Sequence, residues 1–283
     1  MSTVPLQTAP PERRRLPRLV EVQEVGWLTP RMVRIEFGGE DLEGFAAGEF
    51  TDHYVKLQFP PVGADYAAPF DVEEVRATHP RDEWPRTRTY TVRAWDPEGQ
   101  RLTVDFVVHG DEGVAGPWAQ NARPGDRLQF QGPGGAYVPN PEAPAYLMVG
   151  DPSVVPAIAA SLARIPEGRP VHVLLQVADG DDELDLQTPG ELHAIWLHTP
   201  GDEVLADAVR ELELPPGVDV FVHGEASSVR AVRRQLLVER GLPRDAISVS
   251  GYWKRSRTEE GWREDKPEWN RLVESDVESD PGA

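Results

Sequence analysis

The chain contains no cysteine. That excludes disulfides, thiolate nucleophiles and iron–sulfur or zinc sites held by cysteine. Its 7 histidines show no H-E-x-x-H or comparable metal-ligating spacing, so no protein-held metal is expected. No window approaches the roughly 18 apolar residues of a membrane helix, and the first residues carry charges and prolines in place of an apolar leader. A soluble, cytoplasmic protein without stable membrane association is expected. Positive charge is scarce: 29 Lys and Arg face 48 Asp and Glu, for a formal net charge of −19. Such a chain disfavours nucleic acid and anionic lipid as partners. Any local basic site is conspicuous against that background, and any redox chemistry must be carried by a bound cofactor.

What is present suffices for two domains: 283 residues, 39% of them hydrophobic. Residues 1–17, with four prolines and Arg13-Arg14-Arg15, read as a tail. Alternating patterns at 19–37 (broken at 26–30), 52–59, 88–93, 101–109 and 126–130 predict short strands separated by turns, and hence an all-β antiparallel barrel over 18–140. Residues 61–85 are polar, contain proline and lack a pattern, so an excursion loop is expected there. Past residue 140 the strands become short and continuously apolar (145–150, 171–177, 191–198, 218–223, 246–250) and alternate with helical patterns. This predicts an α/β parallel-sheet domain over 141–251, with ligands at the carboxyl ends of the strands, near Gly150–Ser153, 178–182 and Gly224. A classical G-x-G-x-x-G is absent. Residues 252–273 form a basic segment and terminal helix, and 274–283 read as frayed.

The stretch that organises the rest is Arg88-Thr89-Tyr90-Thr91-Val92-Arg93. Period-2 geometry puts Arg88 and Tyr90 on one strand face. A cation beside an aromatic ring suits a ligand anionic at one end and flat at the other, as a flavin dinucleotide is. An exposed Arg beside a half-buried Tyr on an ordinary strand is the competing reading. Further on, glycines at 110, 113 and 116 run into Pro117-Trp118-Ala119, where a helix start offers free N–H groups to a pyrophosphate; a barrel-corner loop with a packed Trp is the alternative. Near the end, Lys254, Arg255 and Arg257 place three cations in four residues next to Trp253. A solvated charged turn is the alternative there.

A barrel followed by a parallel-sheet nucleotide domain resembles the ferredoxin–NADP reductase superfamily, and Arg88-x-Tyr90-Thr91 is similar to its flavin motif. Three further features narrow the likeness: Asp52-x-x-Val55-Lys56-Leu57 with Phe59-Pro60; His109-Gly110 with Gly116-Pro117-Trp118-Ala119; and Gly251-Tyr252-Trp253-Lys254-Arg255 with Thr258-Glu259-Glu260-Gly261-Trp262. Together they resemble the siderophore-interacting proteins, flavin-dependent ferric-siderophore reductases, over residues 19–272. One departure stands out. Where that family usually reads Gly-Asp-Glu-Thr, this chain reads Gly150-Asp151-Pro152-Ser153, which keeps a hydroxyl and loses an N–H donor.

The resemblance implies FAD in the barrel and NADH or NADPH as electron donor. Two electrons pass from nicotinamide to FAD, and one at a time to Fe(III) held by a siderophore, releasing Fe(II); no side chain need act as acid or base. Arg88 is expected on the pyrophosphate, Tyr90 on the flavin ring and Thr91 near its polar edge. Asp105, Val107 and His109 are implied as further flavin contacts, with Gly113, Gly116, Pro117, Trp118 and Ala119 near the phosphates. Asp151 and Ser153 fall to the nucleotide domain's part of the cofactor site. Lys56, Lys254, Arg255 and Arg257 are expected to dock the ferric siderophore. Asp179, Asp181, Asp182 and Glu183, where related folds read the ribose, favour NADH. A monomer is the working expectation. A flavin reductase serving ferredoxin or free flavin, and a non-catalytic siderophore carrier, are the rival readings.

Overall fold

A computed structural model describes residues 17–110 and 113–278. The expected tail at 1–16 and the last five residues lie outside them. The first sheet is antiparallel and seven-stranded: β1 (Arg18–Thr29), β2 (Met32–Gly38), β3 (Tyr54–Phe59), β4 (Arg86–Thr91), β5 (Ala94–Asp96), β6 (Arg101–Val107) and β7 (Arg127–Gly134), in the order β4-β3-β7-β1-β2-β6-β5. It curls on itself. Arg93, just past β4, donates its N–H to the Thr103 carbonyl of β6 at 2.9 Å, and the Tyr90 ring lies 4.4 Å from that of Phe106. Alternation explains the core: Val33, Ile35 and Phe37 from β2, Val55, Leu57 and Phe59 from β3, and Leu128 and Phe130 from β7 are buried inside. The break foreseen at 26–30 shrinks to a turn at 30–31, and β1 runs through Gly26 and Trp27.

The excursion loop is a correction. Residues 61–85 contain a short helix, α1 (Val72–Thr78), and a 3₁₀ turn, Arg81–Glu83. Asp71 caps α1, its carboxylate accepting from the Glu73 and Glu74 amides. A second short helix, α2 (Ala115–Asn121), follows β6.

The second sheet is parallel, with β8 (Tyr146–Gly150), β9 (Pro170–Gln176), β10 (Glu191–Leu197), β11 (Asp219–Glu225) and β12 (Ile247–Trp253) in the order β10-β9-β8-β11-β12. Helix α3 (Val155–Leu162) covers one face. Helices α4 (Val204–Arg210), α5 (Ala226–Arg234, extended by a π turn at Gln235–Glu239) and α6 (Glu259–Glu278) pack in the core of the other. The terminal helix is longer than expected, and residues 274–278 are helical. The chain leaves β8 first toward β9 and later returns to β11 on the other side. The topological switch point therefore lies between the carboxyl ends of β8 and β11.

The two sheets share a core. Met32 and Tyr137 join Val154, Ile158 and Phe221 in one buried cluster, and the Tyr137 and Phe221 rings sit 4.8 Å apart. Polar contacts pin the same boundary: Ser161 Oγ donates to Thr51 Oγ1 at 2.7 Å. Arg31, in the β1–β2 turn, reaches Asp182 at 2.6 Å and Asp179 at 3.0 Å. The carboxyl ends of β8 and β11 thus face the barrel wall.

Candidate functional site

A cleft of about 730 Å³ opens between barrel and parallel sheet, within the size range of small-molecule sites. Pairing of β4 on β3 sets its barrel wall. Arg88 lies opposite Leu57 and Tyr90 opposite Val55, so both project from the same face, as strand alternation predicts. Arg88, Tyr90, Thr91, Asp105, Val107 and His109 all line the cleft, as does Lys56 from β3. Burial pushes the Tyr90 phenol well above its usual range, despite the opposing Arg88 charge, so it stays neutral. Arg88 is held by Glu260 of α6 at 2.6 Å and is only 16% exposed. Asp105 borders the cleft with its carboxylate spoken for: Arg34 grips both oxygens, at 2.7 and 2.8 Å.

The opposite wall is the switch point. Asp151 brackets three strand ends. Oδ1 accepts from Ser153 N at 2.8 Å and Ser153 Oγ at 2.6 Å, and Oδ2 accepts from Glu225 N at 2.6 Å and Trp253 Nε1 at 3.0 Å. Burial raises the Asp151 carboxyl while these donors oppose the rise. Gly224, at φ 128°, must be glycine, because a Cβ there collides with the Asp151 carboxylate. Pro152 opens the 3₁₀ turn Pro152–Val154 that Asp151 caps, a first position that tolerates a missing N–H. Trp253, steered by Asp151, lines the cleft 6.5 Å from the His109 ring.

Several of the expected site residues lie away from the lining of this cleft. Trp118 and Ala119 point into the barrel: Trp118 stacks on Phe37 at 6.3 Å and meets Phe59 edge-on at 5.6 Å, and Ala119 is fully buried in the core. Gly113, Gly116 and Pro117 do not border the cleft, although α2 begins against residues 107–109 at its edge. The C-terminal cations do not converge there either. Arg255 pairs with Asp202 at 2.8 Å, Arg257 pairs with Asp265 at 2.8 Å, and Lys254 is not among the lining residues. Of the acidic run at 179–183, Asp179 and Asp182 are engaged by Arg31, and Glu183 meets His198 at 2.9 Å.

The cations that join Lys56 come from α6. Arg263 and Lys266 line the cleft beside Glu259 and Trp262. Residues 259, 262, 263 and 266 share one helical face, a periodicity present in the sequence. Lys266 donates to Ser250 Oγ at 3.3 Å, and burial lowers its ammonium against the pull of Glu259. His223 was also missed. It is buried near the end of β11, stacks on Phe221 at 3.8 Å and shares a hydrogen bond with Ser248 Oγ at 3.0 Å through Nε2, while Nδ1 has no partner among the described residues. Burial, helped by Lys266, lowers its pKa to about 3.

A curled antiparallel sheet facing the switch point of a parallel one, with Arg and Tyr on the first wall, defines a two-domain oxidoreductase of the ferredoxin reductase-like fold. Family models carry this further: residues 21–137 match the siderophore-interacting FAD-binding domain, and residues 143–256 match siderophore-interacting protein. The chain belongs to the siderophore-interacting protein family. It is 34% identical to the ferric vibriobactin reductase ViuB of Vibrio cholerae, across 88% of this chain and 94% of that one. It is 32% identical to the NADPH-dependent ferric-chelate reductase of Escherichia coli, across 83% and 92%. The siderophore-interacting protein SipS from Aeromonas hydrophila superposes with a TM-score of 0.77 at 27% identity, covering 90% of this chain and 98% of that one. Among the described residues no helix is long and apolar enough to cross a membrane.

Proposed function

We propose that the chain is an FAD-dependent ferric-siderophore reductase using NADH or NADPH. The observation that carries this reading is the placement of Arg88 and Tyr90 on one wall of a single cleft, directly across from Asp151–Ser153 at the switch point. The residues present suit FAD. A guanidinium whose charge partner is one partly exposed carboxylate fits a pyrophosphate. A neutral phenol ring backed by Phe106 fits a flat ring system. Bound there, FAD supplies the conversion of a two-electron donor into single electrons.

The chain's own residues do the rest. Arg88 and Tyr90 bind and orient the cofactor. Asp151 fixes Trp253 and the Ser153 turn at the mouth of the nucleotide domain, where a reduced nicotinamide dinucleotide is received. Lys56, Arg263 and Lys266 attract the anionic ferric complex, which the net charge of −19 would otherwise repel. Hard oxygen donors hold Fe(II) far more weakly than Fe(III), so reduction frees the metal. The residues named here all come from one chain, which suits a monomer, and the reaction belongs in the cytoplasm with the reduced nicotinamide pool. The test is turnover: protein, NADPH or NADH, a ferric siderophore and an excess of ferrous chelator under anaerobic conditions. Ferrous complex should form in proportion to nicotinamide consumed, and nicotinamide oxidation without ferrous product counts against the proposal.

A further inference from the structure

Four carboxylates border the cleft: Asp52, Asp105, Asp151 and Glu259. Three are committed to fixed donors. Asp52 accepts from the Ala136 and Tyr137 amides, both at 2.8 Å. Asp105 is clasped by Arg34 and Asp151 by its four donors. Glu259 differs. Its one hydrogen bond among the described residues is a long one, from Arg263 Nη2 to Oε1 at 3.3 Å, which leaves Oε2 free. Its side chain is 23% exposed, enough to exchange protons with water and little enough to be partly desolvated.

The charged and titratable groups facing it are Arg88 and Tyr90 from β4, and Glu260, Arg263 and Lys266 from its own helix. Burial lifts the Glu259 carboxyl above the ordinary range, Glu260 adds to the rise, and Arg88 and Arg263 oppose it. Arg263 and Lys266 follow Glu259 by one and two turns on the cleft face of α6. An anion drawn to those cations is therefore delivered next to this carboxyl.

Resting on the reading of the cleft as a ferric-siderophore reductase, we propose that Glu259 is the proton donor for iron release from siderophores whose oxygen donors are phenolates. One electron from the nicotinamide-reduced cofactor converts Fe(III) to Fe(II). The weaker Lewis acid leaves the phenolate oxygen more basic. The Glu259 carboxyl gives its proton to that oxygen, an O–H bond forms, and the Fe–O bond breaks with its electron pair remaining on oxygen. The carboxylate left behind is reprotonated from water. Without the proton, the phenolate recaptures the metal.

The experiment mixes anaerobically reduced holoprotein with a ferric tris-catecholate and excess ferrous chelator in a stopped-flow instrument, over a pH series that starts at the ordinary carboxylate range and runs upward. Ferrous capture by the wild type should slow as pH rises through the elevated Glu259 value. Glu259→Gln should lose that dependence and run about a hundredfold slower on the acidic side, while Glu259→Asp should restore it in part. Independently of the cofactor, difference infrared spectra of the cofactor-free protein should show a protonated carboxyl that titrates above the usual range and is missing in E259Q. Wild-type rate and pH profile in E259Q, or no such carboxyl band, overturns the assignment of Glu259 alone. Absence of ferrous product from the wild type at every pH overturns the reductase reading, and this inference with it.

Discussion

Arg88 and Glu260 form a two-point ion pair, with Nη1 to Oε1 at 2.6 Å and Nη2 to Oε2 at 3.4 Å, linking barrel strand β4 to the first turn of α6. A carboxylate so placed occupies the position a phosphate would take on the same guanidinium. Cofactor binding is then an exchange of anions at Arg88. Arg88→Ala should weaken FAD binding to the apoprotein by about 1.5–3 kcal/mol, and Glu260→Gln should tighten it. Riboflavin, which lacks phosphate, should be indifferent to both changes. Fluorescence titration reads all three. Equal responses of FAD and riboflavin would place the pyrophosphate elsewhere.

Lys56 and Lys266 stand on opposite elements of one cleft, and neither forms a salt bridge with an acidic side chain among the described residues. Charge reversal at either should raise KM for an anionic ferric siderophore, more steeply at low salt where screening is weak. Arg255→Glu should not, because Arg255 is directed at Asp202. Initial rates over a salt series decide the matter. A larger effect at Arg255 than at Lys266 would restore the C-terminal turn as the docking site.

The contact between the two sheets has its own electrostatic pin. Asp182, buried, accepts from Thr29 Oγ1 at 3.2 Å and Arg31 Nη1 at 2.6 Å. Asp182→Ala leaves Arg31 its pair with Asp179 but strands the buried Thr29 hydroxyl, so urea unfolding should show a loss of about 1–3 kcal/mol. An unchanged midpoint would mean the pin contributes nothing to stability.

His223 predicts a pH dependence of folding. Its folded pKa is depressed to about 3, while an unfolded histidine titrates near ~6.5. Between those values the unfolded chain binds a proton that the fold excludes. Its contribution is complete above about 6.5 and is lost as pH falls toward the folded value, at about 1.4 kcal/mol per pH unit. The difference in stability between wild type and His223→Gln, followed by denaturant titration, should shrink along that slope. A constant difference would show that His223 is protonated or solvated in the fold.

Much of this was legible in the sequence, for identifiable reasons. Arg88-x-Tyr90-Thr91 announces both a strand and a site, because alternation fixes which side chains share a face. The shift from alternating to continuous apolar strands past residue 140 marks the change from antiparallel to parallel sheet. What the sequence does not show is direction. Linear charge density groups Lys254, Arg255 and Arg257 but does not say that Arg255 turns to Asp202 and Arg257 to Asp265. Trp118 follows glycines that draw attention to backbone N–H groups, yet its ring fills the barrel against Phe37. Residues 61–85 hid α1 because only Asp71, with Glu73 and Glu74 behind it, signals the cap. The cleft face of α6 needed only a helical reading of Glu259, Arg263 and Lys266. The burial that sets His223 depends on contacts from Ser248 and Tyr252 that no local pattern shows.

The measurement that bears most directly on the central claim is the visible absorption spectrum of the purified protein under anaerobic conditions. With FAD in the cleft, the protein carries a flavin spectrum that bleaches on adding NADPH or NADH and returns when a ferric siderophore is mixed in, as ferrous iron appears in a chelator. A protein that takes up no FAD, or a bleached spectrum that ferric siderophore fails to restore, contradicts the account.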